Sequence, residues 1–104
     1  MDTLTLPVLK ALSNETRYNI LEWLKDPDEN FEPQINLPKN SDFKGVCVSS
    51  IKKKTGMSQS VISDHLVQLQ KVGLVESKHI SQWTYYRRNE ENIKRFKEKI
   101  QVDL

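Results

Sequence analysis

Ser58, Gln59, Ser60, Ser63 and Asp64 lie within seven residues, and each carries a group that can meet the edge of a nucleic-acid base. Glutamine pairs with adenine, serine contacts several bases, and a carboxylate accepts a hydrogen bond from the amino group of cytosine. Asp64 has a second reading, in which it pairs with a cation such as Lys71 and only orients the helix. Lys52, Lys53, Lys54, Lys71, Lys78, Arg87 and Arg88 flank this run and supply the cations that phosphate oxygens attract.

Other chemistries find less support. Ser63-Asp64-His65 has the residue types of a hydrolytic triad, but consecutive residues of a helix diverge and cannot converge on one reacting atom. With no glycine-rich phosphate loop and no paired-carboxylate constellation, the chain is not expected to be an enzyme. Cys47, His65 and His79 are the only thiol and imidazoles, too few for a stable zinc site of about four ligands, so no metal and no other cofactor is expected. Cys47 itself has two readings: a small buried hydrophobe, or an oxidant-sensing thiol near a helix N-terminus.

The base-reading candidates are placed by local pattern. Residues 48–72 read as a helix, a break and a second helix, with Gly56 suited to a left-handed position after the first and Ser58 to the N-cap of the second. Ile62, Leu66 and Leu69 recur at i, i+4 and i+7, so they form an apolar stripe that must face a core. The opposite face then carries Ser60, Ser63, Asp64, Val67 and Lys71, poor material for packing but suited to the floor of a major groove. Gly73 ends this helix. Residues 75–88 follow as two strands joined around Ser81-Gln82, a β-hairpin that would lie along the neighbouring backbone or minor groove when the helix enters the major groove. Trp83, Tyr85 and Tyr86 are expected to hold that hairpin by cross-strand packing. The predicted fold is mainly α with a β-hairpin wing, a winged helix-turn-helix, in one domain over residues 1–104.

The chain resembles the ArsR/SmtB family of bacterial winged-helix repressors. The match rests on Ala11-Leu12-Ser13-Asn14-Glu15-Thr16-Arg17 with Ile20, Leu21 and Leu24, on Met57-Ser58-Gln59-Ser60 with Ser63, His65, Leu66, Leu69 and Gly73-Leu74-Val75, and on Gln82-Trp83-Thr84-Tyr85-Tyr86. It spans nearly the whole chain except residues 26–44. The resemblance implies a homodimer that binds an operator and releases it when an effector arrives. Metal-sensing relatives carry paired cysteines ahead of the turn, or Asp, His and Glu sets on the last helix. Here only Cys47 stands at the first position, and the last helix has no histidine. Two further departures are Ile80-Ser81-Gln82 where the family places a wing-turn glycine, and a connection at 26–44 much longer than the family's.

Charge and length fit this reading. Residues 1–44 hold five Lys/Arg against eight Asp/Glu, whereas residues 45–88 hold seven against two, so positive charge gathers on the helix-turn-helix and wing. That segregation favours DNA over the rival reading, a winged-helix module that binds protein. The chain of 104 residues shows no signal-peptide pattern and no apolar run long enough to cross a membrane, which predicts a cytoplasmic protein with no membrane partner. Leu4, Val8 and Leu9 near the start, and Ile93, Phe96 and Ile100 in a helix over 90–101, form two terminal apolar stripes. They pack either against their mates across a two-fold axis, as the resemblance implies, or over the protomer's own core. A symmetric pair would bind an operator that is an inverted repeat.

Residues 26–44 hold three prolines and several Asn/Asp, which predicts an inserted loop without regular structure. Phe31, Ile35, Leu37 and Phe43 are too apolar for a free linker and are expected to pack down. The loop can either simply pack or roof an effector pocket.

Overall fold

Capping residues and apolar stripes set the element boundaries in the computed structural model, which describes residues 5–104. Leu4, assigned above to the dimer interface, lies outside the described residues. Helix α1 spans Thr5–Leu12 and α2 Glu15–Lys25, where Asn14 caps the second by accepting the Arg17 N–H at 3.0 Å. Helix α4, Val48–Thr55, ends on Gly56 at φ 72°, a conformation that costs other residues about 1 kcal/mol or more. Ser58 then caps helix α5, Gln59–Lys71, and its hydroxyl accepts the Val61 N–H at 3.4 Å. Asn89 does the same for α6, Glu90–Asp103, by accepting the Asn92 N–H at 3.1 Å.

The predicted stripe of α5 is the centre of the core. Ile62, Leu66 and Leu69 are fully buried with Ile20 of α2 and Ile51 of α4, and Leu74, Val75 and Ile93 close the cluster. Each such side chain contributes about 1.5–3 kcal/mol of burial, so α5 is held through the residues it turns away from solvent.

Strands β2 (Val75–Ile80) and β3 (Trp83–Arg88) form the expected antiparallel hairpin, with Val75 opposite Arg88 and Ile80 opposite Trp83. A third strand, β1 (Val46–Cys47), goes beyond that expectation. It pairs with β3 on the other edge, Val46 opposite Tyr86 and Cys47 opposite Tyr85, giving the order β1-β3-β2. Tyr85, on the central strand, is 1% exposed and packs with Phe43 and Cys47, while Trp83 and Tyr86 are half-buried.

The wing turns without glycine by placing Ser81 at φ 59°, the positive-φ position where type II′ hairpins favour glycine. Ser81→Gly removes the steric conflict of a Cβ at positive φ and should raise stability by about 0.5–1 kcal/mol in a denaturant titration. A loss of stability would mean that the serine side chain holds the turn.

The insertion departs from the expected irregular loop. Pro27–Asn30 forms one helical turn, α3, because proline suits the first helical position and Asn30 Nδ2 donates to the carbonyls of Trp23 (3.1 Å) and Asp26 (2.9 Å). Phe43 is buried and Phe31 and Leu37 pack against the core clusters, but Ile35 is 89% exposed, contrary to expectation. Gln34 fixes the segment. Its Oε1 accepts the Cys47 N–H at 2.8 Å and its Nε2 donates to Ser50 Oγ at 3.1 Å. A distant carboxamide thereby bonds the backbone N–H of the α4 N-cap residue, which has no side-chain cap of its own. Among the described residues no helix is long and apolar enough to cross a membrane.

Candidate nucleic-acid interface

The outward face of α5 is polar. Gln59, Ser60, Asp64 and Lys71 are exposed and Ser63 is half-buried, all set by the inward stripe one half-turn away. Ser58 is exposed too, but its hydroxyl is engaged as the cap and lies 3.3 Å from Ser60 Oγ. Val61 and Val67 are 43% and 44% exposed on the same helix. Sequence reasoning passes over Val61, although an aliphatic residue in the first turn, off the Ile62-Leu66-Leu69 stripe, is the available signal. The pairing of Asp64 with Lys71 does not form among the described residues, since seven residues along a helix separate them by roughly 10 Å of rise.

His65 is turned inward from this face. Its Nδ1 lies 3.2 Å from a terminal nitrogen of Arg17, whose Nε donates to the Ala11 carbonyl at 2.7 Å. The guanidinium can only donate in this contact, so Nδ1 takes the acceptor role. Arg17 thus ties the end of α1 and the start of α2 to α5, and the three residues that imitate a triad do not converge.

The proposed phosphate cations divide by what already holds them. Lys52, Lys71 and Lys78 are exposed and form no ion pair among the described residues. Lys54 is exposed with its Nζ 5.3 Å from the Trp23 ring centroid. Lys53 pairs with Glu32 of the insertion at 3.1 Å, an exposed bridge worth at most about 1 kcal/mol that a phosphate can displace. Arg87 is more constrained, bonded to Glu76 at 2.6 Å and seated over the Phe43 ring at 4.1 Å. Arg88 corrects the expectation. It is 8% exposed, with Nε donating to Glu90 Oε2 at 2.9 Å and a terminal nitrogen to the Leu21 carbonyl at 3.2 Å. Adjacent strand residues face opposite sides of a sheet, so Arg87 and Arg88 cannot both lie along a duplex.

The terminal stripes are also split. Val8 and Ile93, read as dimer contacts, are buried within the protomer at 4% and 5% exposure. The contacts they make are to their own core because α1 and α6 lie across its open side. Leu9 remains 41% exposed beside Leu6 at 48%, and Phe96 and Ile100 are half-buried. A cleft of about 530 Å³ between α1, the end of α5 and α6 runs past Val8 and Phe96, with Gln70, Asn92 and Arg95 also in its lining.

Cys47 is buried, with Ser49 Oγ donating toward its Sγ at 3.3 Å. Among the described residues no three His, Cys, Asp or Glu side chains gather as a metal site. Burial, and secondarily the nearby Cys47 thiol, pushes the Tyr85 phenol above the ordinary tyrosine value, and burial does the same to Tyr86. Both phenols therefore stay neutral donors.

Comparison with known proteins agrees with this geometry. Residues 44–77, from the end of the insertion through the start of the wing, match the model of the arsR family of bacterial regulatory proteins. The chain is 41% identical over 99 residues to the uncharacterized HTH-type transcriptional regulator YbzH of Bacillus subtilis (strain 168), covering 95% of this chain and 97% of the relative. It is 33% identical over 81 residues to the putative arsenical resistance operon repressor ArsR2 of Halobacterium salinarum, covering 78% of this chain and 56% of that one. Among solved structures, the homodimeric winged helix-turn-helix DNA-binding domain of Mb0332 from Mycobacterium bovis superposes with a TM-score of 0.67 at 28% identity, covering 95% of this chain and 76% of that chain. A likeness over nearly the full length, with the family's own pattern on the helix-turn-helix, makes this chain a transcriptional regulator, not an enzyme, and a member of the arsR family.

Proposed function

We propose that the protein is a homodimeric repressor that occupies an inverted-repeat operator and leaves it when an effector binds. The observation that carries this reading is the polar outer face of α5, uncovered by any described element and bordered by exposed lysines of α4, α5 and β2. Gln59, Ser60 and Ser63 lie in the first turns of the helix, where it enters the major groove, and read base edges. Val61 adds an apolar surface for a thymine methyl group, and Asp64 accepts from a cytosine amino group. Ser58 mainly caps the helix, so its contact with DNA is limited to what a capping hydroxyl leaves over. Lys52, Lys53, Lys54, Lys71 and Lys78 hold phosphates. Leu6 and Leu9 beside the α1–α6 cleft supply the exposed apolar surface for a second copy, in keeping with the homodimeric Mb0332 domain.

Gln59→Ala tests the base-reading assignment, because the residue is exposed and its side chain makes no hydrogen bond among the described residues. On the native operator the variant should lose about 1–3 kcal/mol of binding, and on random duplex of equal length much less. Equal weakening on both duplexes would make Gln59 a backbone contact.

A further inference from the structure

Tyr85 is buried, yet its hydroxyl has no hydrogen-bond partner, one of two such side-chain atoms among the described residues. The residue borders a half-open cleft of about 340 Å³ between the insertion and the sheet, lined also by Gln34, Ile35, Cys47, Ser50 and Trp83. Buried hydroxyls are nearly always paired, so one that meets no protein acceptor beside a cleft can donate to what occupies that cleft.

The lining defines what that acceptor belongs to. Gln34 spends its carboxamide on the Cys47 N–H, the Glu32 carbonyl and Ser50 Oγ, so it offers little to an occupant. No cation lines the cleft, and its one carboxylate, Glu32, is paired outward with Lys53. An anion would thus enter without a countercharge and lose its hydration. Half-buried Trp83 offers one flat apolar face for a ring, with the aliphatic Ile35 at the rim and Asn36, Ser49 and Ser50 as uncharged polar lining. The volume is near the lower end of ligand pockets, which fits one ring with a short substituent.

We propose that this cleft is the effector site, and that it takes a small, uncharged aromatic molecule whose carbonyl oxygen accepts the Tyr85 hydroxyl hydrogen. The regulatory part rests on the effector-release reading above. Its mechanical basis is the pairing of Tyr85 with Cys47 across β3 and β1, because β1 runs without a linker into α4. An occupant therefore touches the wing's central strand and the entry to the helix-turn-helix at once, and the insertion closes the cleft from outside.

Acetophenone is a suitable probe, with ethylbenzene lacking the acceptor and benzoate carrying a charge. In a titration of the full chain followed by backbone and indole amide shifts, acetophenone should bind at least tenfold more tightly than either, with shifts centred on Trp83 and Tyr85. Tyr85→Phe should abolish that tenfold preference over ethylbenzene. Free Tyr85→Phe protein should melt at the parent temperature or above, since the hydroxyl it loses has no partner. A lower melting temperature, an acetophenone affinity no better than ethylbenzene's, or an unchanged preference in Tyr85→Phe would each overturn the site. If acetophenone binds as expected but operator affinity does not move, the effector role falls while the binding site stands. If the parent protein binds no operator at all, the DNA-binding reading fails independently of the titration.

Discussion

Arg88→Ala should destabilise the protein by about 2–4 kcal/mol, lowering the melting temperature by on the order of 10–20 °C for a domain of this size. The side chain is 6% exposed, and its guanidinium reaches both oxygens of Glu90 at 2.9 and 3.3 Å and the Leu21 carbonyl at 3.2 Å. Truncation removes three charge-assisted bonds, cuts the tie from β3 to α2 and opens a void between β3 and that helix. Glu90 moderates the loss, because its side chain is 66% exposed and rehydrates once released. Arg88→Lys should recover only part of the stability, since an ammonium cannot span the carboxylate and the carbonyl in one plane. DNA affinity per folded molecule should be unchanged, as should its salt dependence. A variant that melts within about 2 °C of the parent yet binds DNA weakly would return Arg88 to the phosphate-binding set.

The second large effect is electrostatic. Lys52→Ala/Lys54→Ala/Lys78→Ala removes three exposed cations from α4 and β2 while leaving the paired Lys53 and Arg87 in place. For every phosphate that is no longer neutralised, the slope of log affinity against log salt should fall by about 0.9. The triple variant should therefore be weakest relative to the parent at low salt, and a fourfold rise in salt should narrow the gap by roughly 40-fold. The fold should tolerate the change, because none of the three side chains is buried, although Lys54 gives up its place over the Trp23 ring. An unchanged slope in the folded triple variant would place the duplex on another face.

How far the fold and the site are legible in the sequence follows from the range of the interactions. Gly56, Ser58 and the Ile62-Leu66-Leu69 stripe act within a few residues, so their types and spacing already specify the turn, the cap and the buried side of α5. The hairpin is similarly local. Strand β1 is not, because two residues carry no periodicity and become a strand only through Tyr85 and Tyr86 far along the chain. Arg88 shows the same limit: its charge is visible in the sequence, but its burial depends on Leu21 and Glu90 arriving from two helices. Val8 and Ile93 have the spacing of an interface and the burial of a core, and nothing local separates the two. In the insertion, Ile35 is as apolar as Phe43 and yet faces solvent, since only Phe43 meets Tyr85 and Cys47.

The seam between β1 and β3 has a consequence for how target sites can diversify. Because the wing's central strand is hydrogen-bonded to the strand that becomes α4, hairpin and helix-turn-helix are tied to each other at this seam. On the proposed reading, a protomer would change which bases it prefers through residues on α5, while the β1–β3 pairing would hold the reach of its footprint. In the proposed two-fold pair, the distance between half-sites would be set by how the protomers pack, and the bases read within each half-site by α5. The two properties would then be separable: substitutions on α5 would alter the operator sequence preferred while the operator length stayed fixed.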